Sequence, residues 1–226
     1  SDLRAEDEQQ LLLEICRLAV NVGGYQMAWV GYAEDDVARS IRPQAWAGQE
    51  QGYLSEVSLT WAENDPRGLG PGGRAIRGGH VVICEDILSE SSGFHWRAQA
   101  FERGYRSLIC LPLHDGQRTF GMLALFAPTV LKTRWEEVKL LQELSANLAY
   151  GIGSLRARAE QRRIEQAMRS ANERLVEQAS LLDRAQDAII VRSIEHNLVR
   201  YWNKGAERLY GWTAAEAIGQ PMWNRM

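Results

Sequence analysis

The stretch best suited to hold an anion runs Gly68-Leu69-Gly70-Pro71-Gly72-Gly73-Arg74-Ala75. A phosphate-gripping loop needs G-x-x-x-x-G-K-[ST] after a strand, so that backbone N–H groups and a lysine converge on the phosphate. Gly68 and Gly73 have the outer spacing, but Arg74-Ala75 stands where Lys and Ser/Thr are required. The preceding residues carry Asn64, Asp65 and Pro66, which is turn chemistry rather than a strand. Nucleotide hydrolysis is a poor fit. The plainer reading is a loop entering a short helix, with the amides around Gly72 facing a cavity. Arg74, Asp86 and Ser107 are the polar groups expected to face it. For Asp86, capping of the following turn is the competing role.

Other residue types add candidates. Eight tryptophans stand against four phenylalanines. Tryptophan fills cores, but it also lines ligand cavities. Trp29 on a strand, Trp46 on the next, and Trp61 and Trp96 in connecting segments are the ones expected near a pocket. His95, between Phe94 and Trp96, is a pocket candidate and the single imidazole placed to ligate a haem iron; a hydrogen-bonded loop histidine is the plainer reading. The four histidines have no zinc-type spacing to one another or to cysteine. Cys16, Cys84 and Cys110 lie in apolar or amphipathic runs without a C-x-x-C, as buried reduced thiols do.

These residues need a scaffold. "LLLEICRLAV" repeats apolar residues at three and four and ends at Gly23-Gly24, a helix. Strands are expected from Tyr25 to Tyr32 and from Val37 to Gly48, paired across an acidic turn. Residues 50–69 read as irregular. A short helix over 70–79, a buried strand from His80, a loop over 88–96 and a helix ended by Gly104 follow. Two apolar runs around "HDGQR" make the clearest hairpin. From Arg134 to Arg184 the pattern is helical. Leu140, Leu141, Leu144, Leu148 and Ile152 form one stripe. Ile164, Met168, Ala171, Leu175, Gln178 and Leu182 form a heptad seam in another phase. Fifty residues of helix span about 75 Å and need a partner, and a second copy is the simplest one. The charged run "RARAEQRR" reads as its solvated face. After residue 184 come two short strands around "EHN", a helix ended by Gly211, and a capping box from Thr213 to Glu216.

The segments "GPGGRAIRGGHVVICEDI", "GYRSLICLPL", "FGMLALFAP" and "WEEVKLLQELSANLA" resemble a GAF domain, covering 1–153. The linking helix, 154–184, resembles the signalling helix of bacterial sensors. "DAIIVRS" and "YWNKGAERLYGWTAAEAIGQP" resemble the opening of a PAS domain, 185–226, with Asn203, Gly211, Glu216 and Gly219 where that family has them. The fold implied is α+β: an antiparallel sheet with helices on both faces, then a coiled-coil helix, then a truncated PAS-like segment. Known GAF chemistries can be compared residue by residue. Cyclic-nucleotide GAF domains carry an Asn-Lys pair where this chain reads Phe126-Ala127. Covalent bilin needs a cysteine beside the histidine, and His95 has Trp96. The free-methionine sulfoxide reductase places a cysteine where Gly73 stands.

The resemblance implies a sensory input region of a bacterial signalling protein, such as a histidine kinase or a cyclic-di-GMP enzyme. The ligand is unnamed, no catalytic residue is expected within these residues, and the output domain lies downstream in the same chain. A homodimer through 134–184 and a cytoplasmic location are expected. A net charge of −3 gives no case for nucleic acid. No apolar stretch reaches the ~18 residues of a membrane span, so no direct membrane contact is expected. Two readings of other classes compete: a GAF-type thiol enzyme, and a ligand-free structural dimerisation module.

Overall fold

The computed structural model describes residues 2–90, 94–132 and 134–221. Parts of the expected loop at 88–96 and of the PAS-like tail, residues 91–93 and 222–226, lie outside them. The chain divides into two compact units, Ser1–Ala159 and Glu160–Met226.

The first unit is built on a five-stranded antiparallel sheet in the order β2-β1-β5-β4-β3. Its strands are β1 (Met27–Ala33), β2 (Ile41–Gly48), β3 (Val82–Cys84), β4 (Ser107–His114) and β5 (Thr119–Ala127). Successive side chains on a strand project to opposite faces, and here both faces are covered. Ala28, Val30, Ile109, Leu111, Leu123 and Leu125 meet Leu12 and Cys16 of α1 (Asp2–Asn21) and Leu148 and Ile152 of α5 (Trp135–Arg184). The alternate residues Met27, Trp29, Leu108, Cys110, Met122 and Phe126 meet the short helices α2 (Tyr53–Glu56), α3 (Pro71–Gly78) and α4 (Arg97–Glu102). That is why β4 and β5 are continuous apolar runs with no polar alternation. α2 and a 3₁₀ turn at Pro66–Leu69 occupy the segment expected to be irregular. Neither is long enough to show periodicity.

α5 runs unbroken for 50 residues. Its two stripes differ in phase because they have different surroundings. Leu148 and Ile152 are buried on the sheet, with Leu141 and Leu144 packed beside them. Leu140, expected in the same stripe, is instead 66% exposed, since it lies a residue ahead of the stripe that meets the sheet. From Ile164 onward the apolar seam faces outward.

In the second unit β6 (Ile190–Arg192) and β7 (Val199–Trp202) pair antiparallel, followed by α6 (Lys204–Tyr210) and α7 (Ala214–Ala217). The buried Asn203 uses its whole amide. Its Oδ1 accepts from the N–H groups of Ile189 and Ala206, both at 2.8 Å. Its Nδ2 donates to the carbonyls of Leu182 (2.8 Å) and Asp187 (3.0 Å). The capping box of Thr213 and Glu216 is formed at α7. Among the described residues, no helix is long and apolar enough to cross a membrane.

Candidate functional site

A cavity of about 30 Å³ lies between the sheet and α3. Trp29, Cys110, Met122 and Phe126 line it from the strands, Gly70 to Gly73 from the start of α3, and Trp96 from the segment ahead of α4. Local sequence sets each wall. Gly31 leaves room for the Trp29 indole, because a Cβ there would lie 2.6 Å from the ring carbon Cζ3. Gly73 passes so close to the preceding turn that a Cβ would stand 2.0 Å from the Gly68 carbonyl oxygen. Gly68 is equally pressed, with its would-be Cβ 2.0 Å from the Ala62 oxygen. Arg77 laces the same parts together by donating from Nη1 to the carbonyls of Trp61 (2.7 Å) and Gly68 (2.8 Å). Gly68, Gly70 and Gly73 do carry the G-x-G-x-x-G spacing of dinucleotide loops, but the 3₁₀ turn precedes the helix where that fingerprint needs a strand. Close backbone packing accounts for Gly68 and Gly73.

The electrostatics of the cavity are donor-rich. The Nε1–H groups of Trp29 and Trp96 are both buried and have no hydrogen-bond partner. No carboxylate lines the cavity among the described residues. Arg67 does line it, but Asp65 binds that guanidinium at 2.6 to 3.2 Å, and the same contact holds the Asp65 carboxyl down at about 2. Burial raises the Tyr53 phenol far above its ordinary range, so it stays protonated. The Thr60 hydroxyl is already used, donating to the Ala38 carbonyl at 2.6 Å and accepting from Ala62 N–H at 3.0 Å.

Of the nine residues singled out from the sequence, the cavity gathers Trp29, Gly72 and Trp96. The other six sit elsewhere. Trp46 is 47% exposed on the edge strand β2. Trp61 donates from Nε1 to the Glu34 carbonyl at 3.0 Å and carries the Arg39 guanidinium over its ring. Arg74 turns toward Glu90, 3.8 Å away. Asp86 pairs with Arg106 at 2.9 Å and caps Leu88 N–H at 3.1 Å, the competing role foreseen for it. His95 is exposed and meets the Trp96 ring edge-on. Ser107 is fully buried and donates to the Thr129 carbonyl at 2.7 Å.

The thiols are not poised for chemistry. All three are buried, and burial pushes Cys84 up to about 12 and Cys110 higher still. The register Val82↔Cys110 and Cys84↔Leu108 sets the two cysteines on a diagonal. Diagonal strand partners stand about 7–8 Å apart, beyond the reach of a disulfide. Among the described residues, no group of three His, Cys, Asp or Glu could hold a metal ion.

A second constellation escaped the sequence reading. Arg156, expected on the solvated face of α5, instead binds Glu8 of α1 through Nη2 (2.7 Å) and Nε (3.0 Å). Tyr32 of β1 donates its hydroxyl to the same carboxylate at 2.6 Å, and the guanidinium lies over the Tyr32 and Phe120 rings. The charge pattern of "RARAEQRR" hides this, because one arginine among several carries no mark of its distant partner. Beside α5 there is also an open groove of about 650 Å³, floored by Ala146, Ala149, Gly153 and Ala157.

No curated protein matches the chain. Solved structures show the same fold at low identity. Free methionine-R-sulfoxide reductase from Neisseria meningitidis superposes with TM-score 0.54 at 17% identity, over 66% of this chain and 80% of that one. The domain of a protein described as a two-component sensor histidine kinase, from Sinorhizobium meliloti 1021, gives 0.53 at 18%, over 72% and 99%. The GAF domain of a phosphoenolpyruvate-protein phosphotransferase from Coxiella burnetii gives 0.52 at 20%, over 68% and 86%. These likenesses bear on the fold alone. The family model of the GAF domain matches residues 5–152, and that of the PAS fold matches residues 172–225. The chain belongs to the GAF domain family, with a PAS fold after it, and is a sensory and signalling region.

Proposed function

We propose that this region is the regulatory input of a bacterial signal-transduction protein, acting as a homodimer through α5. The GAF unit reads a small molecule in the cavity under α3, and α5 passes the change to the PAS fold and to an output domain further along the same chain. The observation that carries this is the outward seam of α5. Ile164, Met168, Leu175 and Leu182 are 59%, 75%, 64% and 41% exposed at heptad spacing. Apolar residues repeated at that period on one helix are stabilised by burial against a second helix. A two-state shift in helix crossing or register, biased by ligand affinity, then reaches both copies at once. A cytoplasmic location goes with this reading.

The test is sedimentation of the protein at micromolar concentration. A dimer is expected, and Met168→Glu with Leu175→Glu should convert it to monomers that keep the GAF fold. A wild-type monomer would end the proposal. The thiol-enzyme reading finds no support in buried thiols of raised pKa. The volume under α3 is also far below the roughly 300 Å³ at which pockets for drug-sized ligands begin, which argues against a cyclic nucleotide or haem there.

A further inference from the structure

The cavity under α3 leaves two indole N–H groups without acceptors. Trp29 is 98% buried, being 2% exposed, and its Nε1 has no partner; nor has the buried Nε1 of Trp96. Both side chains line the same space. Burying a donor without an acceptor is costly, so two such donors on residues that line one cavity point to something there that accepts from them. At about 30 Å³ the space suits one or two waters, or a solute of about three heavy atoms.

Three features select among the possible occupants. The walls are mainly Ile41, Leu59, Leu108, Met122 and aromatic rings, so an anion would be desolvated there. Arg67, the cation in the lining, is bound by Asp65 and supplies little compensating charge. Hydroxyl groups bring a donor of their own, which would have to share the Thr60 oxygen with Ala62 N–H. An uncharged acceptor with no donor meets none of these costs.

We propose that the cavity binds a small uncharged molecule with a lone-pair acceptor, of carbonyl or nitrile type, and no hydrogen-bond donor, held by the indole N–H groups of Trp29 and Trp96. This rests on the reading of the cavity as the sensory pocket, and it is independent of whether α5 dimerises.

Three probes of three heavy atoms each separate the possibilities: acetonitrile as the uncharged acceptor, ethanol as acceptor with donor, and formate as the anion. Each is titrated into the full chain carrying ¹⁵N-tryptophan, with the Trp29 and Trp96 indole resonances assigned from Trp29→Phe and Trp96→Phe. Acetonitrile should move both N–H resonances saturably, and each Phe variant should weaken its binding about tenfold. Ethanol and formate should leave both resonances in place at the same concentrations. A stronger response to formate or ethanol overturns the proposal, as does no response to any probe, which would mean a water-filled or closed space. If Trp29→Phe does not fold, assigning Trp96 through its own variant leaves the same comparison open. Dimerisation is read separately by sedimentation, so the two readings fail on different measurements.

Discussion

A methyl group added at Gly73 would have to share space with the Gly68 carbonyl oxygen 2.0 Å away. Neither partner is a flexible side chain, so the turn itself must move. Gly73→Ala is expected to cost about 1–3 kcal/mol, measured as a lowered urea midpoint. Gly72→Ala should be milder, because its Cβ would meet the Met122 side chain at 2.9 Å and that terminus can swing aside. The thiols make a prediction about pH. Burial raises Cys16 and Cys84 from 9.0 to about 12 in the folded chain. Their contribution is fully present below pH 9, where both states hold the proton, and is lost as pH rises toward 12 because the unfolded chain ionises first. At about pH 10 the loss should be on the order of 1 kcal/mol per thiol, and Cys16→Ala should remove its share of the slope in urea titrations. Native thiols should also stay silent to a thiol reagent at neutral pH. At this scale the sequence was only partly legible. Trp29, Gly72 and Trp96 reach the cavity, but Asp86, Ser107 and Arg74 are claimed by Arg106, Thr129 and Glu90. Those partners lie between 16 and 22 residues away along the chain, outside any local pattern.

The long helices were legible from the period of their apolar residues, and the strands as apolar runs bounded by turn residues. Both runs of the β4–β5 hairpin are apolar throughout since α1 and α5 cover one face and α3 the other. α2 left no signal, since four residues cannot repeat anything at 3.6. The two phases of α5 were visible as a conflict, and the fold accounts for it: the sheet takes one stripe and leaves the other outward. Between them sits Arg156. Its side chain is 35% accessible and Glu8 is 14% accessible, so the pair is partly screened by water. Arg156→Ala should cost about 1 kcal/mol, seen as a fall of about 2–4 °C in Tm, with a larger effect than Arg158→Ala two residues along. Equal effects would mean that the Glu8 contact adds nothing.

At the scale of the molecule, an exposed apolar seam links stability to concentration. If α5 pairs with a second copy, thermal midpoints should rise with protein concentration, and the Met168→Glu, Leu175→Glu variant should lose that dependence. Concentration-independent melting of the wild type would contradict the pairing. A last consequence comes from β1. Trp29 on this strand is a wall of the cavity, and Tyr32, three residues on, hydrogen-bonds to Glu8 where Arg156 holds it. Val30 between them packs on the opposite face, among side chains of α1 and α5. On the proposed reading, this one short strand would serve as both the listening surface and the handle. Occupancy that tilts the indole has only one turn of pleat to travel before it tugs on a helix, and substitutions at positions 29 and 156 should be non-additive in a double-mutant cycle of ligand affinity.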